Sequence, residues 1–461
     1  MPSLKLASAK RPLAKSETPL TLFECVRNRN AFLLQSSQRF TFIGYDPFAK
    51  IWSIQGVTQL LKMRDFLDWK KSAKGQIIEG EPLEILSDVM KRFLFTGKSP
   101  VPFCGGIAGY LSYDFGASLV GIQQKVFDDV ELPDFTFFFA DKIIAIDHEK
   151  SEVYFLAFAS TDLEAERKVE LMEKDLKNGP MFVESGKVGE ILSNLTYEQY
   201  VQKIAEIKHY LQEGDTYQVN FSQRFSAQNT KDSWEIYKVL TKMNTAPYSC
   251  YFDCEDFQIM SSSPELLLKK EGSKILTKPI KGTVPRGKNE QEDEENIQKL
   301  LDSQKDAAEL AMIVDLERND LGKVCDAGSI KVSAHRAVEK YARVIHTVST
   351  VEGKLLHNKD FFDALKAVFP GGSITGCPKK RSMEIIDELE DFKRGVYTGS
   401  AGFIGFDGNG SMNILIRTMF LQNKKLFYHA GGGIVIDSDA QQEYEETLYK
   451  SQALSESLKN H

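Results

Sequence analysis

At 461 residues, 42% hydrophobic and 27% charged, the chain is long enough to bury a large core and too long for one small domain, so two subdomains are expected. Its net charge of −7 excludes a basic field for nucleic acid or an anionic membrane, and no apolar run approaches the length of a bilayer span. Six scattered cysteines suit reduced thiols, Cys250 and Cys254 lack a second ligand pair for zinc, and the basic Met1–Lys15 stretch lacks the apolar core of a signal peptide, which makes the cytoplasm the expected compartment.

Short alternating segments between Leu20 and Ile54, such as Phe32–Leu34 and Phe40–Gly44, read as strands joined by polar turns. Leu60 to Phe95 carries apolar residues at helical spacing, and Phe103 to Tyr113 and Phe135 to Ala145 return to strand composition. Thr96-Gly97-Lys98-Ser99 has the look of a phosphate-binding loop's end, but Arg92 stands where that loop needs a glycine, so it reads as a linker. Phe155 to Phe158 reads as a strand and Leu163 to Leu176 as a charged helix. Residues 178–194 read as the connector between an N-terminal subdomain, 1–185, and a second subdomain, 194–461, that carries the chemistry. There Thr196 and Gln199 form a capping box that opens a helix to Leu211, ahead of a strand from Tyr217 to Phe225.

Lys281 follows Pro279 and precedes Gly282 in a segment, Lys278 to Gly287, that a second Pro-Arg-Gly turn closes. A lysine fixed in this way and desolvated loses proton affinity and can attack carbon; the alternative is an exposed charge on a turn. An acidic run from Glu290 to Glu295 opens a helix expected to reach Leu316, its carboxylates set against the positive end of the dipole. Asp306 and Glu309 share a face of it, and Glu309 interrupts an apolar stretch, so it calls for a cation, either a metal or a base such as Lys305. Asp439 is placed to cap a last helix carrying Glu443, Glu446 and Lys450 on one face. Before it, His429 to Gly433 reads as a glycine turn after a strand, which is either an anion-binding nest or an ordinary tight turn. Phe369 to Lys379 ends one element and starts a helix, with Pro378 in the first helical position, and offers a second place for an anion. With Arg417 in a strand, His346 and Lys281, the set suits a small dicarboxylate bridged to magnesium.

Ser263-Pro264-Glu265, Pro279 to Thr283, Val314 to Gly322, Phe369 to Gly376, Tyr397-Thr398-Gly399 and His429 to Ile434 follow one another as in the chorismate-utilising enzymes. The chain resembles that family over nearly its whole length, most strongly from Tyr217 to Lys450. The resemblance implies an α+β fold of paired antiparallel sheets flanked by helices, with two interleaved subdomains. It implies Glu309 and Glu446 as magnesium ligands, with Glu443 beside them and Asp306 behind. It implies Ser373, Tyr397, Arg417, Gly432, Gly433 and Lys450 as the groups that hold chorismate's carboxylates, Glu265 as an acid at the C4 hydroxyl, and His346 near the reacting ring. Lys281 stands where anthranilate-forming members carry a small residue, and Gln218 where isochorismate- and salicylate-forming members need a lysine. That combination implies the branch that aminates chorismate at C4, on the way to 4-aminobenzoate and folate, with Lys281 attacking C2. Anthranilate-forming lyases and a catalytically silent, ligand-binding relative are the alternatives. None of the six cysteines sits in the Gly-x-Cys-x-Gly turn of a glutamine amidotransferase, so ammonia is expected from a separate amidotransferase subunit. Ser36, Arg39, Phe40, Pro247 and Tyr248 resemble the tryptophan pocket of the wider family, with Gln35 where feedback-regulated members carry glutamate.

Overall fold

The computed structural model describes residues 4–177, 186–341 and 344–459. Segments rich in Phe, Ile, Val and Leu form two twelve-stranded antiparallel sheets with helices packed on them, the α+β arrangement expected. The first sheet runs Lys5–Pro12, Glu152–Ala159, Lys142–Asp147, Phe40–Gly44 and Phe32–Ser36, then Cys250–Asp253, Phe257–Ser261, Thr418–Gln422, Lys425–Ile434, Gln218–Gln228 and Leu192–Ser193. The second runs Ile280–Pro285, Val344–Lys354, Lys274–Lys278, Leu266–Glu271, Gly410–Asn413 and Ser400–Gly405, then Gly106–Leu111, Phe135–Ala140, Ala49–Ile54, Val57–Lys62 and Gln76–Ile78. The twelfth strand of each branches off this order: Gly376–Cys377 pairs with Gln218–Gln228, and Lys331–Lys340 with Val344–Lys354. Each sheet therefore takes one side from the first half of the chain and the other from the second. The seams are the pairings of Leu34 with Cys250 and of Ala108 with Phe403.

Aromatic side chains fill the main core, where Phe42 meets Phe103 and Phe403 edge-on at 5.7 and 5.4 Å. A second core, with Phe23, Trp234, Tyr251 and Leu454, lies where the Ser233–Met243 and Ala440–Leu458 helices cover the first sheet. Among the described residues no helix is long and apolar enough to cross a membrane.

The Thr196–Gln199 capping box forms as expected and opens the Tyr197–Gln212 helix. Elsewhere the structure departs from the sequence reading. Leu60 to Phe95 is not one helical stretch: it contributes the strands Val57–Lys62 and Gln76–Ile78, and only Pro82–Lys91 is helical, because hairpin pairing with Ala49–Ile54 claims its first residues. The helix expected from Glu290 to Leu316 is two, Glu290–Asp302 and Gln304–Gly322, broken at Ser303. That serine is extended, with ψ 106°, and its hydroxyl accepts from the Asp306 N–H, so an N-cap interrupts the run. Gly431 to Gly433 is neither nest nor turn but the end of the Lys425–Ile434 strand, paired with Asn220 to Ser222. Pro378 caps the Lys379–Leu389 helix from outside it, and Arg417, at φ +50°, stands just before the Thr418–Gln422 strand. Of the connector expected at 178–194, residues 178–185 lie outside the described residues, and Leu192–Ser193 pairs with Phe225 and Ser226 at the sheet edge.

Candidate active site

A cavity of about 630 Å³ opens between the glycine end of the Lys425–Ile434 strand, the Ile280–Pro285 strand and the helices Gln304–Gly322 and Ala440–Leu458. Lys281, Glu265 and His346 line it, as do Ser373, Tyr397, Arg417, Gly433 and Lys450, and so do Glu309, Glu443 and Glu446. Gly432 lies immediately beside that wall: a Cβ there would sit 3.1 Å from Glu443 Oε2 and 3.6 Å from Glu446 Oε1. Residues as far apart in sequence as Asn220 and Glu456 thus meet because sheet pairing and two helix starts converge on one place.

Lys281 is delivered by a strand rather than a turn. The strand bulges after it, where Gly282 adopts φ +76° and presses against Asp306, so a side chain at 282 would collide with Leu300. Lys281 Nζ lies 3.3 Å from Glu309 Oε2, to which Gln218 Nε2 also donates at 3.2 Å. The missing side chain of Gly433 makes room for both: a Cβ there would come within 1.9 Å of Gln218 Nε2 and 3.3 Å of Lys281 Nζ. On the terminal helix, capped by Asp439 as expected, Glu446 pairs with Lys450 at 2.5 Å. Burial works against ionisation of Glu446, but Lys450, with Lys305 and Lys281, outweighs it and holds the carboxyl below the usual range. Glu443 is buried, accepts from Ser438 Oγ at 2.6 Å and faces Lys305 Nζ at 3.4 Å.

Among the described residues no three His, Cys, Asp or Glu side chains gather closely enough to cage a metal by themselves. Magnesium, however, needs only one or two protein carboxylates and completes its shell with water and substrate oxygens. The oxygen-only set of Glu443, Glu446 and Glu309 around the glycine strand has the chemistry for such a hard cation.

Glu265 is 3% exposed and burial pushes its pKa up to about 7; the Ile280 N–H donates to it at 3.4 Å. A carboxyl poised there is available as an acid near neutral pH. His346 shares a hydrogen bond between Nδ1 and Thr283 Oγ1 at 2.8 Å, and burial together with Arg417 pushes its pKa down to about 3, so the ring is neutral. Its Nε2 and the hydroxyl of Ser373 are buried without a protein partner. Burial also lowers the proton affinity of Arg417, whose Nη1 donates to Asn244 Oδ1 at 3.2 Å. Tyr397 stacks on His429 at 5.0 Å and 8°.

One buried residue that sequence reasoning passed over holds this wall together. Arg394, 1% exposed, donates to Glu390 at 2.7 and 2.8 Å, to Ile374 O at 3.0 Å and to Asn220 O at 2.6 Å. It thereby ties the segments of Ser373, Asn220 and Tyr397 to one guanidinium, a fork that only arginine supplies. Nothing in Lys393-Arg394-Gly395 marks it as buried. The tryptophan-pocket set lies apart from the cavity. Ser36 pairs with Phe40 across a hairpin, Arg39 pairs with Asp147 at 2.9 Å, and the Gln35 N–H donates to Ser249 O at 2.8 Å, bringing Pro247 and Tyr248 alongside.

A cavity lined by Arg417, Lys450 and Lys281, with a buried carboxyl held near neutrality, has the makings of a site for a small polyanionic metabolite. The chain belongs to the chorismate binding enzymes, whose family pattern matches residues 29–456. It is 37% identical to aminodeoxychorismate synthase component 1 of Bacillus subtilis (strain 168), over 92% of this chain and 91% of that one. It is 34% identical to anthranilate synthase component 1 of Acetivibrio thermocellus, over 96% and 93%. Its fold matches the crystal structure of anthranilate synthase component I from Streptococcus pneumoniae TIGR4 with a TM-score of 0.80 at 31% identity, over 90% of this chain and 92% of that one.

Proposed function

We propose that the protein converts chorismate and ammonia to 4-amino-4-deoxychorismate, as the name of its Bacillus relative describes. The observation that carries this reading is Lys281 Nζ, brought into the cavity by a bulged strand one residue from the Ile280 N–H that binds the buried acid Glu265. In this reading Arg417, Lys450, Ser373 and Tyr397 hold the substrate carboxylates. The free amine of Lys281 attacks C2 as Glu265 protonates the departing C4 hydroxyl, which leaves as water while the ring double bonds shift. The proton shed by the new secondary amine restores Glu265. Ammonia then forms the C4–N bond, the double bonds shift back, the C2–N bond breaks, and the proton lost by the incoming nitrogen passes to Lys281. His346, neutral, serves as a hydrogen-bonding group rather than a charge. Glu309, Glu443 and Glu446 would hold magnesium, which when bound supplies positive charge for a substrate carboxylate. A separate glutamine amidotransferase supplies the ammonia, in keeping with the "component 1" of the relatives' names.

Purified protein given chorismate, magnesium and ammonium is expected to form a product that an added lyase converts to 4-aminobenzoate. Fluorescent anthranilate would move the protein to the other branch, which the similarity to anthranilate synthase component 1 favours as the second reading. Unchanged chorismate would leave only a binding role. With glutamine replacing ammonium, turnover is expected only after an amidotransferase subunit is added.

A further inference from the structure

The scheme above leaves one buried carboxyl without a task. Glu317 stands on the inward face of the Gln304–Gly322 helix, 6% exposed and outside the cavity lining. It accepts a hydrogen bond from Thr277 Oγ1 at the end of the Lys274–Lys278 strand. Leu266, the first residue of its strand, pairs with Lys278, which sets Glu265, just before that strand, close to Thr277, the residue before Lys278. The Thr277 hydroxyl reaches Glu317 from the helix side, so the two carboxyls approach one threonine from sheet and helix.

The charged groups around the pair do not neutralise both. Glu317 faces Glu265 from the sheet, Lys379 from the Lys379–Leu389 helix and Asp320 from its own helix, and of these Glu265 acts on it most strongly. Lys379 is already engaged, 2.6 Å from Asp320 Oδ2 and donating to Val368 O at 2.9 Å, and Lys323 holds the other Asp320 oxygen at 2.7 Å. Lys281 and Lys450 act on Glu265 from the cavity side. Burial, reinforced by the neighbouring Glu265 charge, pushes Glu317 up to about 8. Two carboxyls buried this closely lose their protons in separate steps that belong to the pair.

We propose that Glu317 is a positioning residue for the acid step, a buried partner that shares its last proton with Glu265 around Thr277. This rests on reading Glu265 as the acid that protonates the departing hydroxyl. When one proton is left, it resides on either carboxyl, so a fraction of Glu265 stays acidic above the pH at which that group alone would ionise. No redox change or co-reactant is involved; the proton that Glu265 gives up comes back from the secondary amine.

The test is the pH profile of chorismate consumption in wild type and Glu317→Gln, which keeps the shape and an acceptor for Thr277. The alkaline limb of kcat/KM is expected to move to lower pH by about one unit, with activity near the acid limb unchanged. Thr277→Val serves as a second variant if the first does not fold. Removing the hydroxyl disfavours charge on Glu317 and shifts it to Glu265, so the same limb moves the same way by less. Infrared spectra of the substrate-free protein supply a readout independent of turnover: the protonated-carboxyl band of Glu265, assigned by its loss in Glu265→Gln, is expected to disappear at lower pH in Glu317→Gln than in wild type. An unmoved limb in a folded variant, or a Glu265 band that titrates at its wild-type pH, overturns the inference. A different product with the limb still shifted overturns the proposed reaction and leaves the carboxyl pair standing.

Discussion

Lys281 owes its aim to the backbone around it more than to its own side chain. Gly282 lets the strand bulge, Glu265 anchors the preceding N–H, and Glu309 meets Lys281 Nζ at 3.3 Å. Replacing Lys281 by alanine should therefore leave the rest of the cavity wall in place while removing the proposed nucleophile. We expect kcat with ammonium to fall roughly a hundredfold, about 2.7 kcal/mol of transition-state stabilisation, with chorismate affinity by calorimetry changed far less. Wild-type protein mixed with chorismate without ammonia should carry a substrate-derived adduct on Lys281 in the mass spectrum. An alanine variant that aminates at the wild-type rate would make the lysine a bystander. At this scale the sequence was informative where proline and glycine bracket a reactive residue, since those residues restrict the backbone whatever surrounds them. It was silent on Arg394 and Glu317, which are held by Asn220 O and Thr277 Oγ1, both distant in the chain, and whose residue types are ordinarily exposed.

Helix starts set the acidic side of the cavity. The Ser303 cap begins the Gln304–Gly322 helix afresh, which puts Asp306 against Gly282 and Glu309 one turn further along, beside Lys281. The Asp439 cap does the same for Glu443 and Glu446 over Gly432. Both helices were legible from their carboxylate spacing, and the second from its cap. The break between the two acidic helices was not, because a serine within a charged amphipathic run is compatible with continuation and only the tertiary turn reveals it as a cap. The glycine run was misread for a related reason: glycines permit a turn, but here they clear space for carboxylates and an amide in an extended strand. If Glu309 and Glu446 jointly hold magnesium, Glu309→Gln and Glu446→Gln should each raise the magnesium concentration for half-maximal activity roughly tenfold or more. Titrating magnesium calorimetrically in the presence of chorismate checks binding apart from turnover, which matters because Glu309 also faces the lysine. Unaltered magnesium dependence in both variants would remove the two glutamates from the site.

The whole molecule is stitched at two seams. Phe32–Ser36 lies beside Cys250–Asp253 in one sheet, and Gly106–Leu111 beside Ser400–Gly405 in the other, so neither half of the chain closes a sheet alone. The cavity uses residues of the second half only, yet its Lys425–Ile434 wall strand reaches through Phe427 and Ile434 into the main core that the first half's aromatic residues share. Period-two patterns mark many of these strands in the sequence, but which strand lies beside which depends on pairings more than two hundred residues apart, which local patterning does not encode. Both sheets therefore run through strands from before and after residues 178–194. Expressed as a separate fragment, residues 194–461 would present the Cys250–Asp253 and Ser400–Gly405 strands as largely apolar edges stripped of a partner strand. We expect that fragment to aggregate and to bind no chorismate, and co-expression with residues 1–185 to restore soluble, chorismate-binding material. The intact chain should lose its far-ultraviolet circular dichroism and its tryptophan fluorescence in one coincident transition, with Trp52 and Trp69 reporting from the second sheet's side and Trp234 from the first. A monomeric 194–461 fragment with native circular dichroism and chorismate affinity would show that the seams are dispensable and that the second half folds as an independent catalytic unit.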